Sequence, residues 1–399
     1  MAASAAARCS SRHRPIRMRK ATFMRGMFRE ALRLASVVLV LSGAFAAIAA
    51  AEPAEKRDAR WAAVSLEEVD ADFRDQGEYL GWVCEQGCRR SCGLQVVALG
   101  DGAFLAAEYL GGLPGNGWSK DLPRREWRGR REKHGIVLPR ADGMIRISAG
   151  RAEIYRGSGS DATPVGVLCK VERTSVTLGL CPPHCADVLF DGTDTGLLKN
   201  LKIAPDGTME VGAETVRAYR DFRLHLEFRL PYMPYARGQG RGNSGVYLQR
   251  RYEVQILDSF GLEGRSNECG GLYRQREPDV NMCFAPLSWQ TYDIDFRAAR
   301  FDSSGRKIQP ARITVWHNGV VVHDHVDLKG KTGAGRPEGP EPLPILFQNH
   351  GNPVRFRNVW LIDYSRLGTT ATVARHRRAA DPLRLGAVFE SVFSGQAVR

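Results

Sequence analysis

The sequence predicts an all-β protein: a smaller N-terminal β-domain followed by a larger sandwich or jelly roll. Three observations predict it. Apolar and polar residues alternate with a period of two in segment after segment, the mark of strands with two unlike faces. Glycine and Asn-Gly turns punctuate those segments. No stretch sustains a helical period, and two-sided strands without helices imply a sandwich or jelly roll.

The chain opens with residues 1–51, where nine basic residues face one acid, Glu30. The apolar run LASVVLVLSGAFAAIAAA (34–51) follows the basic stretch and ends on small residues, Ala49 and Ala51. Basic, apolar and A-x-A regions in this order form a secretory signal, with cleavage expected before Glu52. Export to a periplasmic, cell-envelope or secreted location follows, with no membrane span after cleavage. Residues 52–76 are a charged, partly helical lead-in. Residues 77–185 form the small cysteine-containing β-domain, with strands at LQVVAL (94–99), AFLAAEYL (103–110), GIVL (135–138), MIRISA (144–149), AEIYR (152–156) and VGVLCKV (165–171). The basic stretch Arg124–His134 reads as a solvated loop, because Glu126 and Glu132 intersperse it.

Pro182–Pro183 marks a boundary, and residues 186–364 form the second β-domain, expected to fold without the first. In DFRLHLEFR (221–229), Phe222, Leu224, Leu226 and Phe228 share one face, and Arg223, His225, Glu227 and Arg229 the other. YEVQILD (252–258), TYDIDF (291–296) and RITVW (312–316) alternate likewise, and Asn318-Gly319 turns RITVW into VVVHDH. Residues 365–399 are a tail with little pattern.

Composition narrows the function. The chain has 399 residues, is 43% hydrophobic and 25% charged, and carries a formal charge of +13. These values exclude wholesale disorder and a polytopic membrane protein. Without residues 1–51 the charge falls to +5 over 348 residues, so basicity gives no reason to expect a nucleic-acid partner. Eight cysteines follow the signal: Cys84, Cys88, Cys92, Cys169, Cys181, Cys185, Cys269 and Cys283. An even count in an exported chain points to disulfides, with Cys269 and Cys283, set apart in one loop region, as the candidate pair. Their spacings fit no standard zinc pattern.

Gly240-x-Gly242-x-x-Gly245 imitates a dinucleotide fingerprint, but the residues after it are strand rather than helix, so it is a loop entering a strand. There is no HExxH, GxSxG or Walker A sequence. What remains is a polar face. Glu253 and Gln255 point opposite to Tyr252, Val254 and Ile256, while Leu346, Gln348 and His350 point opposite to Ile345, Phe347 and Asn349. Asp258 ends the first of these strands, and Tyr247, Tyr273 and Trp289 flank them. Carboxylate, amide, imidazole and aromatic groups on one face suit a sugar, which needs directional hydrogen bonds and a stacking platform. A solvated outer sheet face is the plain alternative.

FDGTDTGLLKNL, GNSGVYLQRRYEVQILDSFG, CGGLY, WQTYDIDFRAARFD, PARITVWHNGVVVHDHVDL and FQNHGNPVRFRNVWLID follow one another in the order seen in the 3-keto-disaccharide hydrolase family, also named 3-keto-glucoside 1,2-lyase/3-keto-2-hydroxy-glucal hydratase. The resemblance covers about 187–364. It implies a concanavalin A-like jelly roll and an enzyme acting on 3-keto-glycosides or 3-keto-disaccharides by base-assisted elimination followed by hydration. In that frame Glu253 or His350 is the base, and Asp258 an acid or metal ligand. Gln255 and Gln348 orient the sugar, while Arg357 or a possible divalent metal stabilises the enolate. Asn243, Tyr273 and Trp289 complete the substrate-binding set. Asn349 stands where the family commonly has aspartate, which bears on any metal. Two other classes compete: a non-catalytic carbohydrate-binding module, and a cell-envelope interaction protein.

Overall fold

The structure, a computed structural model, describes residues 58–367; the signal segment, its cleavage point and residues 368–399 lie outside the described residues. Within 58–76 the lead-in is a series of turns with no helix, tied to the rest of the chain by backbone pairing of Ala63 with Tyr232.

Eight antiparallel strands then close a barrel in simple chain order: β1 (Gly77–Glu85), β2 (Cys88–Ala98), β3 (Ala103–Leu110), β4 (Arg124–Glu132), β5 (Gly135–Arg140), β6 (Gly143–Ser148), β7 (Arg151–Arg156) and β8 (Thr163–Val171), which returns to β1. Closure removes both sheet edges. Alternate residues such as Leu94, Val96, Phe104, Ile145, Ile154 and Leu168 fill the interior.

The stretch expected to be a solvated loop is strand β4. Its even-numbered residues from Glu126 to Glu132 are exposed, while Trp127 turns inward and donates from Nε1 to Glu108 Oε2 at 2.6 Å. Because its outer face is arginine-rich, charge hid the period of two.

The cysteine expectation also needs correction: all eight described cysteines are free thiols. In the barrel, Cys169 lies opposite Leu80 and Cys92 opposite Gly81, so the strand register brings neither against a second cysteine. Cys269 and Cys283 are both buried beside each other, with Cys269 Sγ 3.2 Å from the Tyr292 hydroxyl.

Two further sheets share one core. The seven-stranded sheet runs β9 (Asp187–Phe190), β20 (Arg355–Asp363), β13 (Phe222–Arg229), β16 (Trp289–Arg297), β17 (Ala311–His317) and β18 (Val320–Leu328), with β11 (Met209–Glu210) also on β20. The five-stranded sheet runs β10 (Leu198–Lys199), β12 (Glu214–Thr215), β19 (Leu346–Phe347), β14 (Ser244–Leu248) and β15 (Tyr252–Ile256). Leu224, Leu226 and Phe356 from one sheet meet Val246, Val254 and Phe347 from the other. The expected hairpin is present: His317 pairs with Val320, and Asn318 and Gly319 take the positive φ values, 53° and 82°, that such a turn requires.

The two units are not independent in packing. Val97 and Leu105, on the outside of the barrel, belong to the same apolar cluster as the two sheets. The linker after β8 covers the outer face of the seven-stranded sheet. Ser175 Oγ lies 2.6 Å from Thr291 Oγ1, Gly179 N donates to Glu227 Oε1 at 2.6 Å, and Trp360 Nε1 donates to Leu180 O at 3.2 Å. Arg223, His225 and Glu227, on the face that alternation sets opposite the core, are therefore buried by the chain's own linker.

Candidate functional site

The five-stranded sheet presents its second face, away from the core, as four neighbouring columns. Register sets Gly245 opposite Gln255, and Tyr247 opposite both Glu253 and Leu346. Gln348 N donates to Gly245 O at 2.8 Å, which puts Gln348 beside that glycine. On the other side Gln255 N donates to Gly271 O (2.9 Å) and Tyr273 N to Glu253 O (3.2 Å), adding segment 271–273 as an outer column. Val246, Val254, Leu272 and Phe347 take the alternate positions and face the core. Glu253, Gln255, Gln348, Tyr247 and Tyr273 thus share one face, as expected for the first three from alternation alone.

Gly245 sits at the centre of this floor for a steric reason. A Cβ there would lie 2.3 Å from Glu253 Oε1, so the carboxylate occupies the space that any other residue would fill. Glu253 is only 3% exposed. Its Oε2 accepts from the Tyr247 hydroxyl at 2.7 Å, and its backbone N–H donates to Thr332 Oγ1 at 2.7 Å. Burial disfavours the carboxylate and raises its pKa to about 7, against the lowering effect of the Tyr247 hydrogen bond. A carboxylate poised there is half-ionised near neutrality, the condition for a general base.

The amides around it are oriented but incompletely used. Gln255 Nε2 donates to Asn243 Oδ1 at 2.9 Å, and Asn243 Nδ2 donates in turn to Gln239 O at 2.7 Å. Gln255 Oε1 and Gln348 Oε1 are buried and accept no hydrogen bond from the described residues. Buried acceptors normally find donors, and a polyhydroxylated ligand supplies them. Lys331 Nζ donates to the carbonyl of Gly333 at 3.1 Å, bringing positive charge to the segment that borders Tyr273 and Glu253.

The remaining expected site residues sit in different settings. His350 is exposed beyond the end of β19 and makes no hydrogen bond within the described residues. Asp258 is buried and held by Arg241, whose Nε donates to Oδ2 at 2.5 Å, so its lone pairs serve that pair rather than a substrate. Arg357 and Trp289 are corrections. Both sit in the seven-stranded sheet. Arg357 pairs across the strands with Glu227, donates to its Oε2 at 2.7 Å, and lies 4.1 Å over the Trp289 ring. Phe356 takes the core side of β20, so Arg357 faces outward from the opposite sheet and cannot meet a sugar above Glu253.

Sequence reading passed over Tyr247 as the partner of Glu253 and the whole 331–334 segment. Tyr247 had a signal, since it lies two residues after Gly245 on one strand. The 331–334 segment had none, because only folding brings it to β15. Among the described residues no group of three or more His, Cys, Asp or Glu side chains is placed to hold a metal. No described helix is long and apolar enough to cross a membrane.

Comparison with known proteins bears on this site. Residues 186–362 match the 3-keto-alpha-glucoside-1,2-lyase-like domain. One candidate glycosyl hydrolase of Parabacteroides distasonis is 33% identical over 45% of this chain and 84% of its own, with a TM-score of 0.43. A second from the same organism is 19% identical over 45% of this chain and 93% of its own, with a TM-score of 0.34. No curated protein matches the chain.

Proposed function

From the membership of residues 186–362 in the 3-keto-alpha-glucoside-1,2-lyase-like family, we propose that this carbohydrate-active protein cleaves 3-keto-glycosides, including 3-keto-disaccharides, with Glu253 as the base. The two-sheet unit is read with it as a concanavalin A-like jelly roll. The observation that carries the mechanism is the buried Glu253, with its pKa at about 7, set among amide oxygens that lack donors.

A ketone at C3 acidifies the hydrogen on C2. Ionised Glu253 takes that proton, the electron pair forms the C1–C2 double bond, and the C1–O bond breaks to release the aglycone, whose oxygen takes a proton from water. Water then adds across the 2-hydroxy-3-keto-glucal, giving net hydrolysis. Gln255 and Gln348 accept from ring hydroxyls and hold C2–H toward the carboxylate. The Tyr273 ring offers the stacking platform, and Lys331 supplies positive charge near the developing enolate.

Glu253→Gln keeps shape and hydrogen bonding but cannot take a proton. Turnover of 3-keto-trehalose and 3-keto-lactose by the full chain should fall roughly 10²–10⁴-fold with KM little changed. Wild-type protein that binds these sugars without releasing product would instead establish a binding module. Export is part of the same proposal, supported by the basic and apolar segments of residues 1–51.

A further inference from the structure

We propose that the N-terminal barrel builds a second sugar subsite, which receives a neutral pyranosyl residue beyond the one that reacts at Glu253. This rests on the function proposed above and names a part of the substrate that the family domain alone does not hold. Between β3 and β4 the chain makes an excursion, residues 111–123, that leaves the barrel wall and reaches the two-sheet unit. Lys120 Nζ donates to Pro278 O at 2.9 Å, and Arg124 Nη2 donates to Gly261 O at 2.6 Å, so both ends of the 261–278 loop are tied to the barrel. Between the two runs a groove of about 600 Å³, lined by Trp118, Lys120, Arg124, Glu263, Ser266 and Asn267 among others.

Its chemistry selects a ligand class. Trp118 is half-buried and braced edge-on by Tyr109 at 5.0 Å, which leaves an indole surface for the C–H face of a sugar ring. The cations are already neutralised: Lys120 by Glu277 at 3.0 Å, Arg124 by Glu126 at 2.8 Å and Arg265 by Glu263 at 2.8 Å. A groove whose charges are paired attracts no phosphate or sulfate strongly, yet keeps many donors and acceptors for hydroxyl groups.

Its position ties it to the reacting site. A Cβ on Gly271 would lie 2.6 Å from Ser266 O, so the Ser266–Glu268 turn stands directly over the column next to Gln255. Gln239 Nε2 donates to Asn267 O at 2.7 Å, and Gln239 O accepts from Asn243, which itself holds Gln255. Two relayed side chains therefore connect the groove wall to the amide beside the base.

The test compares two substrates on the full chain: methyl 3-keto-glucoside, and a neutral trisaccharide with a 3-keto terminal residue. Trp118→Ala should raise KM for the trisaccharide roughly three- to tenfold, the loss of one stacking contact, with kcat and the methyl glycoside within twofold. Trp118→Phe should keep most of the affinity, and Asn267→Ala should reproduce the trisaccharide defect if Trp118→Ala is poorly folded. Equal effects on both substrates, or none on either, overturn the subsite. If the wild type turns over neither substrate, the proposed reaction fails. The subsite is then judged by calorimetric titration of cellotriose and maltotriose: binding weakened by Trp118→Ala supports it, and absent or unchanged binding refutes it.

Discussion

Tyr247→Phe isolates what sets the base. The hydroxyl donates to Glu253 Oε2 at 2.7 Å, and burial otherwise pushes that carboxyl upward, so the hydrogen bond is the influence that keeps its pKa as low as about 7. A hydrogen bond to a charged group contributes roughly 1.5–3 kcal/mol. At about 1.4 kcal/mol per unit, losing it should move the carboxyl up by roughly one to two units. The base form then predominates only at correspondingly higher pH. In the wild type kcat/KM for a 3-keto-disaccharide should rise through about pH 7 to a plateau. In the variant the inflection should move to higher pH, leaving the rate at pH 7 roughly five- to fiftyfold lower, while the plateau recovers. A ¹³C-labelled glutamate carboxyl followed by NMR reads the same shift without substrate. An inflection that stays in place, or moves down, refutes the assignment of Tyr247 as the group that holds Glu253 ionised.

Glu253 should also tie stability to pH in the opposite direction from rate. Its folded pKa lies above the ordinary glutamate value of 4.5, so its contribution is fully present below about 4.5 and is lost as pH rises through about 7. Glu253→Gln should therefore gain stability over wild type above neutrality, by roughly 3 kcal/mol at most, in denaturant melts at pH 5 and pH 8.5; a difference independent of pH would contradict it. Arg357→Ala should leave turnover within twofold while lowering the melting temperature, since the guanidinium holds Glu227 and Trp289 on the far sheet; a hundredfold loss of rate would return it to the site. The proposed export predicts that sequencing of the mature N-terminus begins at Glu52; retention of residues 1–51 would count against it.

Alternation was enough to place Glu253, Gln255 and Gln348 together, because a period of two needs only the strand itself. It also gave β3 to the residue and the Asn318-Gly319 hairpin. It failed where a second segment decides what a face meets. The outer side of β13 carries Arg223, His225 and Glu227, the composition of a wet surface, yet the linker 172–186 buries it. Strand β4 failed for the complementary reason: five arginines between 124 and 131 suggested solvent, while the inward residues Trp127 and Gly129 alone recorded the barrel wall. Trp289 and Arg357 were grouped with the sugar site by residue type, and sheet order, which sequence does not contain, put them on the other side of the core.

Two glutamates now show what distinguishes a buried acid that builds the fold from one that is ready to react. Glu227 and Glu253 are 1% and 3% exposed, and burial pushes both pKa values upward. For Glu227 that push is outweighed by the nearby His225 ring and by hydrogen bonds from Asn358, Arg357 and the Gly179 N–H, and its pKa falls to about 2. It stays ionised at any pH the protein meets, with its lone pairs consumed by neighbours that pin the linker to the sheet. Glu253 has one such donor, Tyr247, and its second oxygen rests over a glycine instead of a cation. The difference is therefore not depth but saturation. A carboxylate surrounded by donors has nothing left to offer a substrate, whereas one desolvated with a single donor keeps its affinity for a proton near neutral pH. Adding a permanent cation on the same face, by Leu346→Arg on the far side of Tyr247, should depress the pKa of Glu253, so that the rise of rate through about pH 7 moves to lower pH and the plateau falls while substrate still binds. An unchanged pH profile in that variant would show that proton removal at this site does not depend on the poise of Glu253.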